Sequence, residues 1–328
     1  MPRLQLTVAI SEYDHVRDLF GRVDAEGLEL RHLSLPIEDI FYRFTHFREW
    51  EVSEMSLAKY ASLRSQGDES MVAIPVFPSR VFRHSALYVR ADSTIDDPRG
   101  LAGGRVGVPE WSQTAGVYVR GMLCDQYGLN LQDVRWYQAG VNQPGRMEKV
   151  ELRLPEGISL APVPDRCLDE MLMVGDLDAI ASAHPPQTYE RGDGRLRRLF
   201  RDAVAEEQAY WRATGIFPIM HVVVVRGDVH RAHPWVATSL FRAFDEARRR
   251  AVGRLFEMTA SRIPLPWGPD TAAPWQELFG GEYWPYGLDG NRPTLEAFCR
   301  YAAEQGVCHR RLRPEELFPD AVLGSYRV

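Results

Sequence analysis

Lysine is nearly absent: Lys59 and Lys149 are the only two among 39 basic residues in a chain of 328. That leaves few candidates for Schiff-base chemistry, whereas planar guanidinium groups able to grip a carboxylate with two bonds are plentiful. Cysteine is scarce as well. Cys124, Cys167, Cys299 and Cys308 are far apart and form no C-x-x-C pair, which speaks against a zinc ribbon, an iron–sulfur site or a disulfide scaffold and for reduced thiols. Neither H-x-x-x-H nor H-E-x-x-H occurs, and the H-R-A-H at His230 and His233 stands just before Pro234, where it reads as the lead-in to a helix. No metal ligand set is assigned. The longest apolar run, residues 217–225, is broken by His221 and reaches about half of the ~20 residues a membrane span needs. The net charge of −6 lacks the basic excess of a nucleic-acid binder, though it leaves room for a local basic pocket. Glu12 and Asp14 follow a very short apolar stretch at the N-terminus, so the opening residues read as a first strand and not as a signal peptide. A cytoplasmic protein is expected, with no membrane and no nucleic-acid partner. Internal repeats and low-complexity tracts are also missing.

What is there is ordinary globular composition, 45% hydrophobic and 26% charged, and at ~150 residues per domain the length suggests two domains. Strand and helix signals alternate through the first ninety residues: strands at 4–10, 28–35, 51–55 and 71–77, and helices near 13–20, 36–47 and 57–65. This rhythm predicts a mostly parallel sheet covered by helices. The turn-rich DSTIDDPRGLAGG (92–104) then opens a second unit, with strands at 105–108, 134–138 and 177–181 and helices at 113–127, 167–174 and 203–213. Residues 140–164, studded with proline and glycine, read as loop or short hairpin. The apolar strand 217–225 suits burial on both faces, and an amphipathic helix follows over 234–259. The tail from 264 is irregular and aromatic-rich, with a helix near 294–305. The segments flanking the middle unit read as parts of one outer domain: residues 1–88 and 222–328 form a discontinuous outer lobe and 89–221 an inserted second lobe. The chain is expected to cross at 84–90 and 221–226, making a hinge and a cleft for a small ligand.

Several runs carry a resemblance. LTVAISEYDHVRDL (6–19), FREWEVSEMSLAKY (47–60), IPVFPSRVFRHS (74–85), GRVGVPEWSQTAGVYVRG (104–121), GIFPIMHVVVV (215–225) and EYWPYG (282–287) resemble the 4,5-dihydroxyphthalate decarboxylase family over most of the chain. That family is similar to type II periplasmic binding proteins, and DDPRGLAGGRVGVPE (96–110) looks like the opening of their second lobe. The resemblance implies an α/β, two-lobed fold with a hinge and an interlobe cleft. It also implies loss of one carboxylate from 4,5-dihydroxyphthalate, or a close hydroxylated aromatic acid, to give protocatechuate and carbon dioxide. The other reading is a substrate-binding receptor of an ABC transporter. A receptor needs export, and the chain enters its first strand almost at once, which favours the enzyme.

Such a reaction needs anion binders for two carboxylates, an acceptor near the phenols and an acid above the ring carbon. It needs no redox cofactor; a divalent metal is left open because catechols chelate metals, and so is homo-oligomerisation. Arg80 and Arg83, between a strand and the first crossing, suit a small aromatic dicarboxylate or else interlobe ion pairs. Ser112, Gln113 and Thr114 lie where a strand turns into a helix, a place for a carboxylate or an ordinary N-cap. His84 follows the arginine pair, His221 sits in an apolar strand and His184 in a loop; each is a proton carrier or a satisfied structural histidine. Glu54 and Glu12 close strands on the side where ligands gather in open sheets. The preferred catalytic pair is Glu54 with His84, and the other eight residues are expected to bind substrate. The aromatic group Trp267, Trp275, Tyr283, Trp284 and Tyr286 is expected to pack the C-terminal segment onto the core.

Overall fold

Leu6 and Val8 turn inward and Gln5 turns outward along the first strand, the period-two alternation of a half-buried strand. The computed structural model describes residues 2–260, 262–282 and 284–324, so Tyr283 lies outside the described residues. Strand β1 (Leu4–Ala9) pairs in parallel with β2 (Leu28–Leu33) and β3 (Val52–Ser56). Helix α1 (Ile37–Phe47) follows Pro36 and buries Ile40, Phe41 and Phe44 at helical spacing; it ends where Arg48 turns left-handed, its N–H on Phe44 O. Helix α2 (Leu57–Ser65) and strand β4 (Met71–Ile74) complete the first part of this lobe.

The second lobe contains β5 (Leu87–Arg90), β6 (Arg105–Val108), α3 (Thr114–Tyr127), β7 (Arg135–Gly140), β8 (Ser159–Cys167), α4 (Leu168–Met173), β9 (Ala179–Ala181), α5 (Gln187–Glu190), β10 (Leu196–Arg198) and α6 (Ala203–Thr214). The chain then returns through β11 (His221–Arg226) to α7 (Gly227–Ala232), α8 (Val236–Leu255), α9 (Gly268–Leu278) and α10 (Arg292–Glu304). One sheet has the order β2-β1-β3-β11-β4 and the other β10-β5-β9-β6-β7-β8.

Both sheets are mostly parallel, as expected, with one strand in each, β11 and β5, running against the others. β11 runs antiparallel to β3 and β4 because it re-enters the first lobe from the opposite direction, and Val222–Val225 are fully buried between its neighbours. The crossings differ from expectation. Residues 87–90 are β5 inside the second sheet, and 221–226 are β11 inside the first. The hinge is instead a short ladder just before each: Arg80 bridges Ile219, Val81 N–H donates to Pro218 O at 3.2 Å and Met220 N–H to Ser79 O at 2.8 Å.

The expected loop at 140–164 holds the beginning of β8, an edge strand paired on one side with β7. An edge strand tolerates Pro162 and Pro164 because no outer neighbour needs their missing N–H groups. The expected helix near 13–20 shrinks to a 3-10 turn over Arg17–Leu19. The aromatic-rich tail contains α9, with Pro274 inside it. Helix α10 packs on α3 and α2, so the C-terminal segment touches both lobes.

Candidate active site

Helix α2 starts directly beyond the carboxyl end of β3 in one lobe, and α3 follows the carboxyl end of β6 in the other after the turn at 109–113. Their N-terminal ends meet. Ser56 Oγ lies 3.0 Å from Thr114 Oγ1, which also accepts the Ala58 N–H at 3.1 Å. A cavity of about 220 Å³ opens at this junction. It is smaller than the ~300–1,000 Å³ of drug-sized pockets and fits a single substituted ring. Two converging helix N-termini make it favourable to anions.

On the first-lobe wall stands a carboxylate–imidazole pair. Glu54 is fully buried on β3, and its Oε1 accepts from His221 Nδ1 at 2.7 Å and from the Tyr13 hydroxyl at 2.6 Å. Its Oε2 accepts the Ser11 N–H at 3.0 Å. With Glu54 acting only as acceptor, Nδ1 carries the proton and Nε2 is left for the cavity that His221 lines. The Phe41 ring meets the imidazole edge-on, centroids 4.9 Å apart. Such a pair can deliver or receive a proton at Nε2 while the carboxylate steadies the imidazolium.

The opposite side is cationic. Lys59 Nζ lies 3.2 Å from Glu110 Oε2, while Arg146 Nη2 (2.6 Å) and Lys149 Nζ (3.3 Å) contact Glu110 Oε1. Arg146 also reaches Glu38 at 3.3 Å and Lys149 reaches it at 3.6 Å. Burial holds the Lys59 ammonium below its ordinary range despite the nearby Glu110. For Arg146 burial pulls the same way, but Glu110 and Glu38 outweigh it and lift the group above its usual value. Burial would raise the Glu38 carboxyl, yet Arg146 and Lys149 hold it low. Arg83 completes the lining; its Nε donates to the Met220 sulfur at 3.2 Å, and burial lowers it to about 10. Three cations, Lys59, Arg83 and Arg146, thus face two carboxylates, Glu38 and Glu110, around the cavity.

The expected site residues divide. Arg83, Gln113, Thr114, His184 and His221 line the cavity, and Glu54 stands behind His221. Gln113 has an unpartnered buried Oε1. Glu54 and His84 are not brought together. His84 is buried among Phe200, Tyr210 and Tyr127, ring centroids 5.1, 5.3 and 6.5 Å away, and burial pushes its imidazole down to about 4. It lies on the second-lobe side of the hinge, inside the packing between α3 and α6.

Arg80 is turned away as well, between the Phe77 and Phe217 rings, donating to Pro285 O at 2.7 Å and to Asn291 Oδ1. Ser112 is engaged by Glu148, which accepts its N–H and its hydroxyl. Glu12 is exposed beside a separate surface hollow with Arg17 and His32. Trp284 donates to Phe77 O at 3.2 Å and Tyr286 is buried, whereas Trp267 is 78% exposed. None of the described aromatic-tail residues lines the polar cavity.

Lys59, Glu110, Arg146 and Glu38 escaped sequence reasoning. The available signal was the scarcity of lysine, since both lysines of the chain converge here. A larger cavity of about 440 Å³ behind the hinge is walled by Phe82, Trp211, Phe217 and Trp284. It lacks a comparable set of cations and proton carriers, so the smaller polar cavity is the candidate site. No group of three or more His, Cys, Asp or Glu side chains able to hold a metal occurs among the described residues, and no helix there is long and apolar enough to cross a membrane.

Two sheets joined by a paired hinge, with a polar cavity between facing helix ends, define a type II periplasmic-binding-protein-like molecule. The putative periplasmic sulfonate-binding protein of a Methylobacillus flagellatus KT transporter superposes with a TM-score of 0.58 over 98% of this chain and 92% of that one, at 12% identity. The aliphatic sulphonate binding protein of Escherichia coli gives 0.54 over 98% and 99%, at 11% identity. No family model matches the sequence. The chain is 36% identical, over 100% of both proteins, to the 4,5-dihydroxyphthalate decarboxylase of Comamonas testosteroni. It is 34% identical to that of Pseudomonas putida over 65% of this chain and 83% of the relative. The chain belongs to the 4,5-dihydroxyphthalate decarboxylase family.

Proposed function

We propose that the protein is a carboxy-lyase that converts 4,5-dihydroxyphthalate to 3,4-dihydroxybenzoate (protocatechuate) and carbon dioxide, with His221 as the proton carrier. The observation that carries the residue assignment is the buried Glu54 carboxylate holding His221 Nδ1 at 2.7 Å on the wall of a cavity that Lys59, Arg83 and Arg146 also line. The cations and the α3 N-terminus take the two substrate carboxylates. His184, from the second lobe, takes the proton of the hydroxyl para to the departing carboxylate, and the phenolate pushes electron density onto the carbon that bears that carboxylate. His221 Nε2 delivers a proton there, forming the C–H bond from a ring π pair. The C–C bond then breaks, carbon dioxide leaves, the bonding pair restores the aromatic ring, and His184 returns its proton to the phenolate oxygen. One proton is consumed per turnover, so His221 is recharged from solvent between cycles.

We place this step in the cytoplasm, in the breakdown of phthalate-type aromatic acids. The free state of all four cysteines fits a reducing compartment. The deciding experiment is to incubate the purified protein with 4,5-dihydroxyphthalate and follow protocatechuate and carbon dioxide, with and without chelator. Turnover in both conditions is expected. Tight binding without turnover would establish a receptor instead, and turnover lost to chelator would overturn the metal-free scheme.

A further inference from the structure

We propose that Tyr13 is a positioning residue of this reaction, locking the Glu54 carboxylate in the orientation that aims His221 into the cavity. The inference rests on the assignment of proton transfer to His221. Glu54 lies on β3 between two neighbours: β1, whose following turn carries Ser11 and Tyr13, and β11, which begins at His221. A carboxylate on a lone side chain can rotate, but here both oxygens are held. Ser11 N–H occupies Oε2 at 3.0 Å, and Tyr13 O–H shares Oε1 at 2.6 Å with His221 Nδ1. Burial and the adjacent Glu54 raise the Tyr13 phenol far above its usual range, so it stays a donor at every pH the protein works in.

At the hinge the Ser79 carbonyl accepts the N–H groups of Met220 (2.8 Å) and His221 (3.4 Å). A chain of bonds results, from Tyr13 through Glu54 and the His221 ring, and from the His221 backbone to Ser79. Its last link belongs to the hinge ladder. Any change of hinge register moves Ser79 and so reaches the Glu54–His221 bond.

Around His221 the other charged and titratable groups are Glu38 from α1, Lys59 from α2, Arg83 from the hinge, and Glu110, Arg146 and His184 from the second lobe. Tyr286, from the segment before α10, is felt electrostatically by Tyr13. None of these groups hydrogen-bonds the Glu54 oxygens, which are held by Ser11, Tyr13 and His221, so removing the Tyr13 hydroxyl acts on His221 through Glu54.

The test is an NMR titration of His221 in isotopically labelled protein, run beside the pH profile of kcat. In Tyr13→Phe, Glu54 loses a donor and becomes a better acceptor for His221, which favours the imidazolium. The His221 midpoint should rise by about half a unit or more, the alkaline limb of kcat should move the same way, and kcat should fall about tenfold with KM changed less than about twofold. Incorporating a difluorotyrosine at position 13 strengthens the donor and should move the midpoint down. An unmoved midpoint in both variants would overturn the proposal, leaving Tyr13 a packing residue. A midpoint that shifts while the kcat limb fails to follow would remove His221 from proton transfer, and with it the role of Tyr13 in the reaction, while a shift in both supports the proposal.

Discussion

His84 and His221 lie close to the two ends of the hinge ladder, and their surroundings give them opposite chemistry. Around His84 three aromatic rings supply no acceptor, and its Nδ1 is left unpartnered. His221 has a carboxylate on Nδ1 and the cavity before it. Replacing His221 by Ala should lower kcat by about 10²–10⁴-fold with little change in KM, whereas His84→Phe should keep kcat within about threefold; steady-state kinetics on both variants decides. His84 also sets a pH signature. Its folded-state value is pushed down to about 4 from an unfolded value of 6.5, so the unfolded chain binds the proton first. Stability is then fully present above pH 6.5 and is lost as pH falls from there toward 4, by at most ~1.4 kcal/mol per pH unit. Urea midpoints at pH 7 and pH 5 should separate less in His84→Phe than in the parent protein. From sequence, His221 in a valine run read equally well as a core histidine, because nothing in the linear order places Glu54, 167 residues away, against its ring.

Helix α3 joins site and scaffold. Its N-terminal end faces the cavity, its Tyr118 hydroxyl accepts the Ile219 N–H of the hinge at 3.3 Å, and its middle packs on α10. At that contact Gly121 stands so close to the Tyr301 ring that an added Cβ would lie 2.4 Å from it. Tyr301 cannot simply swing aside, because its hydroxyl is bound to Asp125 at 2.6 Å. Gly121→Ala should therefore destabilise the protein by about 1–3 kcal/mol, read as a lowered Tm.

Helix α2 contributes Lys59 from its first turn. Lys59→Met should raise KM for the dicarboxylate about tenfold and change kcat less, since one of the three lining cations is removed. Elements with strong local signals, such as α1, α2 and β11, were legible from periodicity. β8 was not, because prolines that would disqualify a central strand are harmless at an edge. Nor was β10 (Leu196–Arg198), too short to show a pattern.

Across the whole molecule the lobes are clasped by charge as well as by the hinge. Glu38 and Lys59 come from the first lobe, and Glu110, Arg146 and Lys149 from the second. A dianionic substrate entering the cavity competes with the two glutamates for the same cations. Raising ionic strength should therefore raise KM more than it lowers kcat, because screening weakens long-range capture of a charged ligand most; a series of KM values from low to high salt tests this. Glu38→Gln should loosen the clasp and shift the free protein toward a more open shape, visible as a larger radius of gyration in solution scattering.

The sequence by itself determined the two α/β units and most helices, because these follow from local periodicity and turn chemistry. Its motifs also determined the family, since the resemblance extends along most of the chain. The tertiary structure alone decided which partners meet. It set Glu54 against His221 instead of His84, turned Arg80 into the C-terminal packing while Arg83 faced the cavity, and drew both lysines to one carboxylate. Those choices depend on which strands become neighbours and on where the hinge ladder forms. They are long-range pairings that no local pattern encodes, and so the few lysines, conspicuous in the composition, acquired a use only once the chain was folded.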